Sequence, residues 1–142
     1  MTLVREAMLT DPRALPATAS AQEAAELLTR PEVRAVLVVD GDRLVGVVTS
    51  DALVERVVAA GRDPRATTVG DVAEPVTVTA LPDMQVEEAY RLMEAEDVER
   101  LPVTEEGRLV GVLSRSALTR RLAEDDPPAA DPELNQSQRD GE

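Results

Sequence analysis

Hydrophobic and polar positions along this chain fall into short blocks, and the blocks come twice. A brief apolar segment at Val4 to Met8 is followed by an N-cap pattern, Ser20 with Glu23 three residues on, and then by Ala21, Ala24, Ala25 and Leu28 on one helical face. Two continuous apolar runs come next, Ala35 to Val39 and Leu44 to Val48, separated by Asp40-Gly41-Asp42. That is the pattern of two buried strands joined by a tight turn. A helix is expected from about Ser50 to Ala59, ending before Gly61 and Pro64. The second half repeats this order. An apolar segment at Val69 to Ala73 precedes a strand-like run, Val76-Thr77-Val78-Thr79. A helix follows with Asp83 as its expected N-cap and Val86, Ala89, Tyr90 and Met93 on one face. Strands are expected at Leu101 to Thr104 and Leu109 to Leu113 around Glu105-Glu106-Gly107, then a last helix from about Arg115 to Ala123. In the first half the counterpart of the strand-like run is Arg13-Ala14-Leu15-Pro16, poorer in β-formers, with a register that allows a slip of two residues.

The repetition is literal in places. Arg43-Leu44-Val45-Gly46-Val47 and Arg108-Leu109-Val110-Gly111-Val112 are the same pentapeptide, sixty-five residues apart. The same spacing relates Val4 to Val69, Glu23-Ala24 to Glu88-Ala89, Val38 to Val103 and Ala52-Leu53 to Ala117-Leu118. One gapless offset over most of the chain marks two copies of one unit. The expected division is residues 2–60 for the first repeat, 61–68 for a linker, 69–123 for the second repeat and 124–142 for a tail. The order β-α-β-β-α, twice, gives an α+β fold with helices covering a small sheet. A unit this small buries little core alone, so the two copies are expected to pack as one globular module.

Composition narrows the chemistry. The 142 residues contain no Cys, His or Lys and one aromatic, Tyr90; all fifteen basic residues are Arg. Disulfides, thiolate or imidazole metal ligation, Cys–His and Ser-His-Asp catalysis and Schiff-base chemistry are therefore excluded. No carboxylate pair stands at a spacing that marks an acid and a base, so an enzyme is not expected, and neither catalytic nor metal-binding residues are assigned. The formal net charge of −13 argues against nucleic acid and anionic membranes as partners. From Glu124 onward seven acids stand against one Arg139 in a Pro-rich, aperiodic stretch, which reads as a disordered acidic tail. No apolar run is long enough to span a membrane, and the N-terminus lacks the order of a signal peptide, so a cytoplasmic protein is expected.

Taken together, the two repeats resemble a tandem pair of CBS domains, the cystathionine beta-synthase modules often called a Bateman module. The residues that carry the resemblance are Gly46-Val47-Val48-Thr49 and Gly111-Val112-Leu113-Ser114, each a strand running into a helix, with Arg100-Leu101-Pro102-Val103 and Val69-Gly70-Asp71-Val72 in support. It covers about residues 2 to 123. The resemblance implies repeats packed through their sheets around a pseudo-twofold axis, and a homodimer. It also implies a regulatory, energy-sensing class of function, in which an adenosyl ligand (AMP, ADP, ATP, S-adenosylmethionine or an NAD-type molecule) binds in clefts between the repeats. With no other domain on this chain, the regulated protein would be separate.

Such a ligand has readable needs. A phosphate wants hydroxyls, backbone N–H groups and Arg, a ribose wants a carboxylate, and adenine is read by strand backbone between aliphatic side chains. The resemblance places the hydroxyls at Thr49 and Ser114. The carboxylate that it implies three residues later is Ala52 and Ala117 here. Asp51 lies one residue early, turned by about 100° on a helix, and also fits as a helix-start residue. The candidate ligand contacts are Thr49, Asp51, Val76, Thr77, Val78, Arg100, Pro102, Ser114, Arg115 and Ser116, with the second repeat's cleft preferred. Arg34, like Arg100, precedes a core strand and is in place for a phosphate; salt bridging to Glu32 or Glu99 is the other reading. Thr49 and Ser114 serve equally as helix N-caps. The lost carboxylates leave a second function open, a ligand-free dimerisation or interaction scaffold of the same fold.

Overall fold

The structure of the chain is a computed structural model that describes residues 2–10 and 12–125. The acidic stretch expected to be a tail lies outside the described residues from 126 onward. Helix α1 (Val4–Ala7) leads to strand β1 (Ala14–Pro16), helix α2 (Ala21–Leu28) and strands β2 (Val36–Asp40) and β3 (Arg43–Val48). Helix α3 (Ser50–Leu53) continues as a π-helical turn over Val54–Val58. The second repeat supplies α4 (Val69–Val72), α5 (Val86–Glu96), β4 (Arg100–Glu105), β5 (Arg108–Ser114) and α6 (Arg115–Asp125). No helix among the described residues is long and apolar enough to cross a membrane.

Local chemistry sets these boundaries. The Ser20 capping box forms as expected: Glu23 N–H donates to Ser20 Oγ at 3.1 Å, and Ser20 N–H donates to Glu23 Oε1 at 3.2 Å. Pro31 follows closely on α2 and has no N–H to continue it. The equivalent helix α5 carries Glu96 at that place and runs on, ending at Asp97 in the left-handed region (φ 54°). Asp83 is not the cap of α5; Gln85 holds that place, and Asp83 pairs with Arg5 of α1 instead.

All five strands form one sheet in the order β1-β2-β3-β5-β4. Its middle is a single antiparallel pair, Arg43 opposite Arg108, flanked by Leu44 N–H to Gly107 O at 3.1 Å and Leu109 N–H to Asp42 O at 2.8 Å. These two bonds exchange under the sixty-five-residue offset, which puts the pseudo-twofold axis between Arg43 and Arg108. The β-irregularities at Val38/Val39 and Val103/Thr104 match under the same offset.

The first strand of each repeat reverses the expectation. The weaker sequence, Ala14–Pro16, is a strand paired parallel to β2; the stronger one, Val76 to Thr79, is not. The register does not slip by two: Leu15 pairs with Val38, and Ala80 forms an isolated bridge to Val103, which keeps the offset. A missing donor ends the pairing after Ala80. Ala17 N–H donates to Val39 O at 2.8 Å in the first repeat, and the residue equivalent to Ala17 is Pro82, which has no N–H.

The packing holds a feature that the sequence order does not announce: the opening helices are exchanged. Val4 of α1 is fully buried in the core of the second repeat, with Val86, Met93, Leu101 and Leu113. Val69 and Val72 of α4 are fully buried in the core of the first, with Ala24, Val38, Val48 and Val57. The backbone repeats the exchange symmetrically. Val4 N–H donates to Met84 O at 2.7 Å and Val69 N–H to Ala19 O at 2.8 Å. Leu9 bridges to Val112 and Glu74 to Val47. Where each opener crosses the other repeat's central strand stands a glycine. A Cβ on Gly46 would lie 2.8 Å from Glu74 O, and one on Gly111 would lie 2.8 Å from Leu9 O. The identical RLVGV segments thus keep glycine for close backbone approach. Gly46→Val is expected to lower unfolding stability by roughly 1–3 kcal/mol through overpacking against backbone. Urea denaturation measures it, and an unchanged midpoint would show that the crossing is looser than described.

Candidate functional site

A cleft of about 850 Å³ opens between the repeats. Its walls come from both, in nearly equivalent pieces. The entries to β2 (Val33 to Leu37) and β4 (Val98 to Arg100, with Pro102) face it, and so do Val47 of β3 and Val112 of β5. Leu9 and the run from Glu74 to Val78 line it where the exchanged openers leave the other repeat. The cleft is therefore a product of the exchange: the bridges Leu9–Val112 and Val47–Glu74 carry both connecting segments across it.

The run after Glu74 has unusual backbone chemistry. Val76, Thr77, Val78 and Thr79 make no backbone hydrogen bond to the described residues, although Val76 and Val78 are half-buried. Backbone N–H and C=O groups in such a place are paired by water or by a bound molecule. A strand-like edge with open donors and acceptors, set between aliphatic side chains, is the arrangement that reads the edge of a planar base.

The cations of the cleft are free. Arg13, Arg34 and Arg100 line it, and none makes an ion pair among the described residues. The bridges considered for Arg34 and Arg100, to Glu32 and Glu99, do not form. Three of the four lining carboxylates are engaged with arginines outside the cleft. Glu74 pairs with Arg56 at 3.4 Å, while Arg115 holds both Asp97 at 3.5 Å and Glu99 at 3.8 Å. Guanidinium groups without ion pairs among the described residues favour an anionic guest.

The ten residues singled out in the sequence divide. Thr49, Val76, Thr77, Val78, Arg100 and Pro102 come together on the cleft. Asp51, Ser114, Arg115 and Ser116 are not on its surface. Asp51 is exposed in the first turn of α3. Ser114 Oγ lies 3.1 Å from Ser116 Oγ and accepts from Ala117 N–H at 3.4 Å. Arg115 is occupied by its two carboxylates, and its amide donates to Glu99 O at 2.8 Å. The grouping of Ser114, Arg115 and Ser116 with Val76 to Val78 in one cleft is thus not what the structure shows. Ala52, one of the two lost carboxylate positions, is buried. Arg13 and the Arg115–Asp97–Glu99 cluster were missed; the repeat offset carries the signal, since it sets Glu99 against Arg34.

The CBS domain family matches residues 4–59 and 69–124, one domain on each repeat. The chain belongs to the CBS domain family. It is 32% identical over 114 residues to the CBS domain-containing protein YhcV of Bacillus subtilis, spanning 80% of this chain and 81% of that one. The crystal structure of CBSX2 in complex with AMP superposes with a TM-score of 0.74 at 25% identity, covering 89% of this chain and all of that one. That of Hypoxic Response Protein I with two coordinated zinc ions gives 0.72 at 28% identity, covering 85% and 99%. As a CBS pair, the chain has two tandem repeats in an α+β fold, as its sequence resemblance implies. It has no His or Cys, and no three Asp or Glu among the described residues gather as metal ligands.

Thr49 combines two roles at the cleft wall. It is the N-cap of α3, its Oγ1 accepting from Ala52 N–H at 3.2 Å. Thr49→Ala is expected to cost about 1 kcal/mol of stability and Thr49→Ser to cost little. Thermal unfolding of both variants checks this; equal losses would contradict the capping role.

Proposed function

We propose that this CBS pair is a non-catalytic regulatory module that binds an adenosyl ligand in the cleft between its repeats and signals that occupancy to a separate protein. The observation that carries the reading is the backbone of Val76 to Val78, unpaired among the described residues and set in the same cleft as Arg13, Arg34 and Arg100, which make no ion pair among them. The backbone run reads the base, Val76, Val78 and Pro102 supply aliphatic surface on either side of it, and the arginines meet the phosphate. Thr49 adds a hydroxyl at the wall. The size supports the reading, since cofactor clefts span about 300–1,000 Å³. AMP bound to CBSX2, a protein of the same fold at 25% identity, supports it too.

Regulation follows from where the cleft sits. Both repeats build it through exchanged segments, so a guest that touches both walls favours one spacing of the repeats over others. A homodimer belongs to the proposal. Val54 and Val58, one turn apart and 58% and 72% exposed on the π-helical turn, are apolar surface suited to a second copy.

Thermal unfolding with AMP, ADP, ATP, S-adenosylmethionine and NADH, confirmed by calorimetry, tests the reading. A ligand at about a hundred times its Kd stabilises by roughly 2.7 kcal/mol, a shift of several degrees. At least one member of the panel is expected to give that shift. No shift from any of them at millimolar concentration would replace the sensor with the ligand-free scaffold, whose support is the Ala at positions 52 and 117.

A further inference from the structure

The two halves of the cleft match in backbone and differ in charge. The repeat offset sets Glu99 where Arg34 stands and Val78 where Arg13 stands, and all four residues line the cleft. The first repeat thus contributes two guanidinium groups without ion pairs among the described residues, against one lining carboxylate, Glu32, the counterpart of Asp97. The second contributes Asp97 and Glu99, two carboxylates sharing the one guanidinium of Arg115. Even with Arg100 counted on that side, the second half gathers no excess of positive charge. A doubly charged phosphate is favoured against the first half and gains nothing comparable in the second.

We propose, resting on the adenosyl reading above, that the cleft takes one ligand per chain and that this ligand carries a phosphate, held by Arg13 and Arg34 on the first repeat's side. The two-copy architecture then has one working anion position. S-adenosylmethionine, which places a sulfonium cation where a nucleotide has phosphate, is a poor guest for the same reason. Thr49 and Ser114 cap their helices alike, but Thr49 lies on the cleft wall and Ser114 does not, which agrees with a vacant role on that side.

Isothermal calorimetry on the full chain with AMP, adenosine and S-adenosylmethionine tests this. One AMP per chain is expected, with affinity falling as salt is raised, and with adenosine and S-adenosylmethionine weaker by about tenfold or more. Arg34→Gln is expected to weaken AMP by about tenfold. Arg120→Gln makes the same change of charge on α6, away from the cleft, and is expected to leave AMP binding as it was. Glu99→Arg, which copies the first half's charge into the second, is expected to admit a second AMP; circular dichroism and thermal unfolding establish that the variants fold, and the ligand comparison on the unaltered chain stands without them. Equal affinity for AMP and adenosine overturns the phosphate claim and leaves the adenosyl reading intact. Two AMP per unaltered chain overturns the single site. An equal loss in Arg34→Gln and Arg120→Gln reduces the effect to net charge and overturns the assignment to Arg34. Failure of every adenosyl compound to bind overturns the reading and the inference together.

Discussion

Each repeat lacks part of its own core and takes it from the other. Val4 fills the second repeat, and Val69 and Val72 fill the first, all three fully buried. Burial of a valine side chain is worth about 1.5–3 kcal/mol relative to exposure, so the exchange accounts for a large share of what a small domain has in reserve. It also fixes the geometry. The sheet is continuous through only one residue pair at the axis, Arg43 with Arg108. Alone, that seam would be a weak joint between two half-sheets. The crossed openers, anchored at Leu9–Val112 and Glu74–Val47, hold the halves in one arrangement. The two glycines beneath them let backbone meet backbone.

The cleft follows from the same constraint. To reach its own repeat after serving the other, each connecting segment must cross the space between them. In the second repeat the crossing segment stays outside the sheet until Ala80, because Pro102 stands on the neighbouring strand where the first repeat has Leu37 and offers it no N–H. Three residues with open donors and acceptors, Val76 to Val78, are left along the wall. The departure from ideal β-structure and the binding surface are thus one event. The symmetry that builds the cleft does not extend to its charge, and a pseudo-symmetric container becomes polar.

Much of this was legible in the sequence. The offset between the two RLVGV segments exposed the duplication, the glycine positions and the order of elements along the chain, since alternation, turns and caps all agreed there. The Ser20–Glu23 box formed as its spacing implies. Two kinds of feature were not legible. The β-propensity of Val76 to Thr79 is real, yet pairing needs a donor on the neighbouring strand, where Pro102 stands in the place of Leu37, and propensity over a short window does not weigh that. The opener exchange leaves no local mark at all, because Val4 and Val69 are apolar residues whichever core they enter. In the site, Arg100 and Pro102 at the entry to β4 line the cleft. Those at the start of α6 do not line it, and the ion pairs of Arg115 to Asp97 and Glu99 arise from tertiary proximity that the sequence does not display. The reversal from Arg34 to Glu99 was open to inspection in the aligned repeats.

The central claim is that the open backbone of Val76 to Val78 receives the base of a bound nucleotide. Amide hydrogen exchange, resolved by residue and followed with and without AMP, tests it most directly. In the free protein the amides of Val76, Thr77, Val78 and Thr79 are expected to exchange fast, having no partner among the described residues. On saturation with AMP one or more of them is expected to slow markedly, while the amides of Leu44 and Leu109 at the seam stay protected throughout. Binding of AMP with no change at Val76 to Thr79 would place the base elsewhere and contradict the account.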